Sequence, residues 1–147
     1  MKKIIMVCLL VMAGVSLQAQ KISADKLPSA VLESFKKLYP TATETKWEKD
    51  KDNYEAIFKL NAASKEIVFH ADGKVVQSEE ELTSINSLPK EVKDAFIKEY
   101  AGYNYIKSEK ITKDSGTIVY EIDAELKGKK YAIEYDAKGI FVKKTEE

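Results

Sequence analysis

The stretch Leu27-Pro28-Ser29-Ala30-Val31-Leu32-Glu33-Ser34-Phe35-Lys36-Lys37-Leu38-Tyr39 decides the fold, because it occurs twice. It returns as Leu88-Pro89-Lys90-Glu91-Val92-Lys93-Asp94-Ala95-Phe96-Ile97-Lys98-Glu99-Tyr100, an offset of 61 (88 − 27). Leu27/Leu88, Pro28/Pro89, Val31/Val92, Phe35/Phe96 and Tyr39/Tyr100 match. A second block repeats at an offset of 66 (120 − 54): Tyr54-Glu55 with Tyr120-Glu121, Leu60 with Leu126, Ile67 with Ile133, Phe69 with Tyr135, Ala71 with Ala137 and Gly73 with Gly139. The step from 61 to 66 places five extra residues in the second copy, within 103–116. A duplication at this period means two copies of one supersecondary unit.

Each copy reads as a helix followed by strands. Val31, Phe35 and Leu38 fall at i, i+4 and i+7, as do Val92, Phe96 and Glu99 with Tyr100 beside it, giving one apolar stripe per short helix. Pro28 and Pro89 suit a first helical position, where no amide donor is needed. Pro40 stops the first helix and Gly102 the second. The segments that follow alternate. Tyr54, Ala56, Phe58 and Leu60 face one way, and Glu55, Ile57 and Lys59 the other. Ile118, Tyr120, Ile122 and Ala124 oppose Val119, Glu121, Asp123 and Glu125, and Tyr131, Ile133 and Tyr135 oppose Ala132, Glu134 and Asp136. A period of two with one polar face describes an antiparallel sheet covered on one side. Asp72-Gly73 and Lys138-Gly139 are hairpin signals, because glycine accepts positive φ. Strands are expected near 44–49, 54–60, 65–70, 74–78, 105–112, 117–126, 129–136 and 139–144, with 79–87 as a connector between copies. The fold class is α+β: two tandem α-β-β-β-β repeats, 27–78 and 88–144, forming one curved antiparallel sheet with two helices packed on one face.

Residues 1–19 read as a secretory signal peptide. Lys2 and Lys3 precede an apolar run over 4–15, too short for a stable membrane span, and Leu17-Gln18-Ala19 offers a cleavage site. The only cysteine, Cys8, lies inside that run rather than after a small-residue pair at its end, against a lipoprotein. The exported chain, 20–147, then has no cysteine and is expected to fold as one domain. Disulfides, thiolate catalysis and cysteine-bound metals are excluded, and the apolar core must carry stability. A chain of this size buries roughly two thirds of its unfolded surface. All 24 basic residues are lysine, balanced by 24 acids. Without arginine, and with lysines scattered among acids, nucleic acid is a poor candidate partner. The destination is the periplasm or the exterior, with no membrane span after signal cleavage.

The helix opening Leu-Pro-x-x-Val-x-x-x-Phe-x-x-x-Tyr, the Trp, the Tyr-Glu strand and the final hairpin resemble the PepSY-like, beta-lactamase-inhibitor-like domains of exported bacterial proteins. The residues carrying this are Leu27, Pro28, Val31, Phe35, Tyr39, Pro40, Trp47, Tyr54, Glu55, Phe69, Asp72 and Gly73. In the second copy they are Leu88, Pro89, Val92, Phe96, Tyr100, Tyr120, Glu121, Tyr135 and Gly139. Two positions depart: Trp47 has no clear second-copy equivalent, and Lys138 replaces the hairpin Asp. The resemblance implies a non-enzymatic domain with a curved sheet backed by helices. Related folds inhibit beta-lactamases or peptidases by offering the open sheet face to the enzyme. Inhibition is an analogy from fold.

Candidate chemistry is sparse. His70, the only imidazole, ends a strand with no nucleophile elbow in the sequence, and reads as a surface histidine. Asp50-Lys51-Asp52-Asn53 lacks the glycine and distant glutamate of a calcium loop and reads as a solvated turn. Glu121 and Asp123 share one strand face; such a pair is more often a solvated face than a glycosidase pair. No catalytic residue, metal ligand or cofactor is expected. Trp47 admits two readings, core packing or an exposed interface anchor. Ile57 sits on the otherwise polar face. The reading is an exported, inhibitor-like binding module that docks an exported protein partner on its open sheet face through Trp47, Glu55, Ile57, Glu121 and Asp123. Replacing Trp47 by Ala is expected to weaken docking and leave the fold intact. The alternative is a small-ligand carrier using the groove between the two repeats.

Overall fold

The computed structural model describes residues 20–147; the signal-peptide reading of 1–19 lies outside the described residues. The first helix, α1, spans Ser29–Leu38, and the second, α2, spans Lys90–Glu99. Among the described residues nine strands accompany them: β1 (Gln20–Ile22), β2 (Thr43–Asp50), β3 (Asn53–Leu60), β4 (Ala63–His70), β5 (Val75–Leu82), β6 (Asn104–Lys113), β7 (Ile118–Leu126), β8 (Lys129–Asp136) and β9 (Phe141–Glu146). They form one antiparallel sheet in chain order, so the two copies share an uninterrupted ladder through the β5–β6 pair. The expected α+β architecture of two repeats, with both helices on one face, is the observed one.

Each helix covers its own half of the sheet. Val31 and Phe35 of α1 pack with Trp47, Ala56, Phe58, Ile67 and Phe69. Val92 and Phe96 of α2 pack with Leu88, Ile122, Ala124, Ile133 and Tyr135. Burying such side chains stabilises by about 1.5–3 kcal/mol each. In the first half the rings interlock, with Phe35 edge-on to Phe58 at 5.1 Å and to Trp47 at 5.0 Å. In the second, the Tyr135 hydroxyl donates to Glu99 Oε2 at 3.1 Å and ties the end of α2 to β8. Leu38 does not complete the α1 stripe: it is 49 % exposed, and Tyr39 turns inward onto Phe58 instead.

Three further differences from the sequence expectation are informative. A short strand, β1, adds to the β2 edge and sets Ile22 beside Trp47. Glu79-Glu80-Glu81 is no connector: β5 runs through Leu82 and pairs with both β4 and β6. The five extra residues of the second copy lengthen the β6–β7 hairpin relative to β2–β3, whose strands turn directly between Asp50 and Asn53.

The hairpins that close each copy dock onto the helices. Gly73 has φ +83°, and a Cβ there would lie 2.5 Å from the Ala30 carbonyl oxygen; Gly139 has φ +76° and would meet the Glu91 carbonyl oxygen at 2.5 Å. Both glycines are required twice, by left-handed backbone and by contact with the first turn of a helix. The carboxylate that organises the turn has moved between copies. Asp72 Oδ1 accepts from the Lys74 amide, whereas Asp136 Oδ1 accepts from the Lys138 and Ile140 amides, which explains how Lys138 can replace the hairpin Asp. Gly139→Ala is expected to lose about 2–3 kcal/mol in urea denaturation, combining backbone strain with overpacking. Gly128→Ala, at φ +81° with nothing near its Cβ, should lose only the strain portion, about 1 kcal/mol. Equal losses at the two sites would show that helix docking contributes nothing.

Candidate functional site

The sheet face away from the helices carries a band of carboxylates. In a pleated strand, residues paired across the ladder lie on one face. Glu48↔Glu55, Ile57↔Glu66, Glu66↔Glu79, Glu81↔Glu109, Glu109↔Glu121 and Glu121↔Glu134 are such pairs. Every strand from β3 to β8 therefore contributes a glutamate: Glu55, Glu66, Glu79, Glu109, Glu121 and Glu134 in turn, with Asp123 beside Glu121. In β3, β4, β7 and β8 the helix-facing positions are mostly apolar, so alternation sends Glu55, Glu66, Glu121 and Glu134 outward. In β5 and β6 those positions include Ser78, Glu80, Ser108, Lys110 and Thr112, and Glu79 and Glu109 are placed by register with the neighbouring strands.

These side chains are not freely solvated. Glu55 is 6 % exposed, Glu66 and Asp123 9 %, and Glu134 5 %. They crowd against one another across the strands. Crowding like charges away from water favours protonation. Burial first, then the hydrogen bond and charge of Glu55, push Glu66 up to about 8. Burial and the charges of Glu66 and Glu109 push Glu79 up to about 7. Burial, then Asp123, Glu134, Glu109 and Glu79, push Glu121 up to about 8. Glu55 and Asp123 are raised as well, both chiefly by burial. Each of Glu55 and Glu66 acts on the other, and a proton held between the two carboxyl groups would relieve their repulsion.

Two lysines enter the band. Lys107 Nζ lies 2.9 Å from Glu109 and 3.5 Å from Asp123 Oδ2, and Lys143 Nζ lies 2.9 Å from Glu134. Asp123 Oδ1 is buried and accepts no hydrogen bond. Protonated carboxyls beside carboxylates can donate as well as accept, and can release protons to a cation that approaches. Among the described residues no group of three or more His, Cys, Asp or Glu is disposed to hold a metal. His70 is exposed at the end of β4, bonded to Asn53 Oδ1 at 2.9 Å.

Four of the five residues singled out from sequence share this face. Glu55, Glu121 and Asp123 stand in the band, and Ile57 lies half-buried between Lys46 and Glu66. Trp47 does not join them. It pairs with Ala56 on the helix side, is 7 % exposed, and packs on Phe35 and Phe69. The expectation that Trp47→Ala would spare the fold is corrected accordingly. Its second-copy position is Ser108, at the offset of 61 (108 − 47), which pairs with Ile122 as Trp47 pairs with Ala56. Ser108 is 1 % exposed and hydrogen-bonded to the Tyr105 hydroxyl at 3.0 Å; Tyr105 packs against the second core. Glu66, Glu79, Glu109 and Glu134 join the band without having been candidates by sequence; for Glu134 the period-two alternation, which sets it opposite Ile133, is the signal that finds it.

The groove between the copies, on the helix side, is small. A hollow of about 40 Å³ is lined by Tyr39, Lys65, Ser78, Glu79, Glu80, Lys110 and Thr112. That is room for a water molecule, well short of the several hundred Å³ of an organic-ligand pocket.

The family model described as "Putative beta-lactamase-inhibitor-like, PepSY-like" matches residues 14–77 and again 52–143. A DUF2874 family protein from Bacteroides ovatus is similar over 84 % of this chain and 89 % of its own, at 27 % identity and a TM-score of 0.77. A BLIP-like protein from Bacteroides fragilis is similar over 82 % of this chain and 86 % of its own, at 28 % identity and a TM-score of 0.74. A "putative periplasmic" protein from Bacteroides eggerthii shares the fold, at 24 % identity and a TM-score of 0.77 over 82 % of this chain and 88 % of its own. No curated protein matches.

Proposed function

The chain belongs to the PepSY-like, beta-lactamase-inhibitor-like family, and on that premise we propose that it is an exported, non-catalytic binding module that docks a protein partner on its open sheet face. The observation that carries this reading is the carboxylate band, one glutamate from each of six adjacent strands on the face the helices leave uncovered. A sheet face that only met solvent would gain nothing from crowding acids until they take up protons. A partner presenting lysine or arginine side chains would relieve that crowding, since a cation beside a carboxyl favours its ionised form. Ile57 adds an apolar contact at the margin. The periplasm fits the leader read at residues 1–19 and the "periplasmic" description of one structural neighbour. No helix among the described residues is long and apolar enough to cross a membrane. An inhibitor role would use the same face, by analogy with the BLIP-like neighbour. The small volume of the groove between the copies disfavours the ligand-carrier alternative.

The test is a matched capture from an envelope extract of the source organism. The bait is the protein or its Glu55→Gln/Glu121→Gln/Asp123→Asn variant, which replaces the charges with near-isosteric amides. A protein held by the first bait, released by salt and lost with the variant is the expected result. Equal capture by both baits, or no capture by either, would overturn stable docking on this face.

A further inference from the structure

On the opposite side of the sheet, three tyrosines surround an ammonium group. Lys144 Nζ, from the edge strand β9, lies 4.1 Å from the ring centre of Tyr131, 4.8 Å from that of Tyr103 and 5.3 Å from that of Tyr100. It also donates to the Tyr103 hydroxyl at 2.7 Å. The rings brace one another: Tyr100 and Tyr103 meet at 89° with centres 5.0 Å apart, and Tyr103 and Tyr131 at 62° and 5.5 Å. They come from three places, the end of α2, the loop before β6 and strand β8, so the arrangement is fixed by the fold.

The duplication gives this place a counterpart in the first copy, and there it is a hollow. By the offsets of 61 and 66, Tyr100, Tyr131 and Lys144 correspond to Tyr39, Lys65 and Ser78 of the first copy. Those three residues line the hollow of about 40 Å³ between the copies. The space below the helix end is thus left open in one copy. In the other it is walled by aromatic faces and filled by a lysine that remains exposed to solvent. No carboxylate forms a salt bridge with Lys144 among the described residues; its partners are rings and one phenol. Aromatic walls without an acid suit a weakly hydrated organic cation better than a primary ammonium, whose strong hydration competes with the rings.

We propose that Tyr100, Tyr103 and Tyr131 form a binding cage for an organic ammonium ion, quaternary or methylated, with Lys144 as its built-in occupant. An incoming cation displaces the lysine side chain into water, so the resident lowers apparent affinity without closing the site. The cage lies on the other face of the sheet from the carboxylate band, and it stands or falls independently of partner docking there.

Tetramethylammonium chloride is the probe, titrated into the protein and into Lys144→Ala with sodium chloride as the ionic control. Tyrosine ring resonances are followed by NMR. Lys144→Ala is expected to show saturable shifts of the three rings, with affinity at least about ten-fold above that of the unsubstituted protein. Adding Tyr131→Leu should abolish them. If Lys144→Ala disturbs β9 in the amide spectrum, Lys144→Met keeps the aliphatic stem and decides the matter. No saturable shift in the folded lysine variant, or shifts that survive Tyr131→Leu, would overturn the proposal.

Discussion

Trp47→Ala is expected to cost about 3–5 kcal/mol of folding stability, the range for truncating a buried tryptophan. The side chain is 7 % exposed, edge-on to Phe35 at 5.0 Å and tilted against Phe69 at 6.5 Å. It is enclosed laterally by Ile22 of β1 and Ala56 of β3. Truncation would leave a cavity where α1, β1 and the first half of the sheet meet. The protein has no disulfide among residues 20–147 to offset that loss, because its single cysteine is Cys8. Ile57→Ala is the comparison: one strand away but on the open face and half-buried, it should cost less than about 1.5 kcal/mol. Guanidinium denaturation of both variants, followed by circular dichroism because one of them lacks the only tryptophan, checks the contrast. A Trp47→Ala protein as stable as the parent would place the indole outside the core.

Stability is expected to fall as pH rises from about 5 to about 9. Glu66, Glu79 and Glu121 have folded-state values of about 8, 7 and 8 against 4.5 in the unfolded chain, and Glu55 and Asp123 are raised too. Between the two sets of values the folded protein holds protons that the unfolded chain has released. The stabilisation is therefore complete below about pH 4.5 and is lost as pH passes through 7–8. With the groups coupled and partly solvated, the combined loss is on the order of a few kcal/mol. Lys107 opposes the crowding but does not change the sign, since its own upward shift is felt only above pH 10.5. The exposed pairs Lys74–Asp72 and Lys90–Asp94 act at the surface and add little. Urea midpoints at pH 5.5 and 8.5 measure the difference, and Glu66→Gln/Glu121→Gln should flatten it by stabilising the protein at the higher pH. Stability that rises with pH over this window would mean that the carboxylates are well solvated in the folded protein.

The two predictions concern opposite faces of the same sheet, and the sequence was unequally informative about them. In β3, β7 and β8 an apolar residue recurs at every second position, so Glu55, Glu121, Asp123 and Glu134 can be sent to the polar face by inspection. The segment Thr-Glu-Thr-Lys-Trp-Glu-Lys-Asp of β2 has a single large apolar residue and no alternation to phase it. Only the pairing of Trp47 with Ala56 shows which way the indole points. Likewise Val-Val-Gln-Ser-Glu-Glu-Glu-Leu of β5 carries little strand signal beyond its opening valines. It is held as a strand because its backbone pairs on both edges, which a local reading cannot see.

The duplication, the two helices, eight of the nine strands among the described residues and the polarity of most of them are legible in the sequence. Those features rest on local periodicity and on turn residues whose conformations are set within a few positions. Tertiary structure alone decided that Trp47 belongs to the core, that glutamates from six strands converge on one face, and that three tyrosines close around Lys144. Each depends on register between strands and on how the sheet bends, so the groups that meet are tens of residues apart in the chain. No periodicity within one segment encodes such a meeting, because a strand's own pattern fixes its faces but not its neighbours.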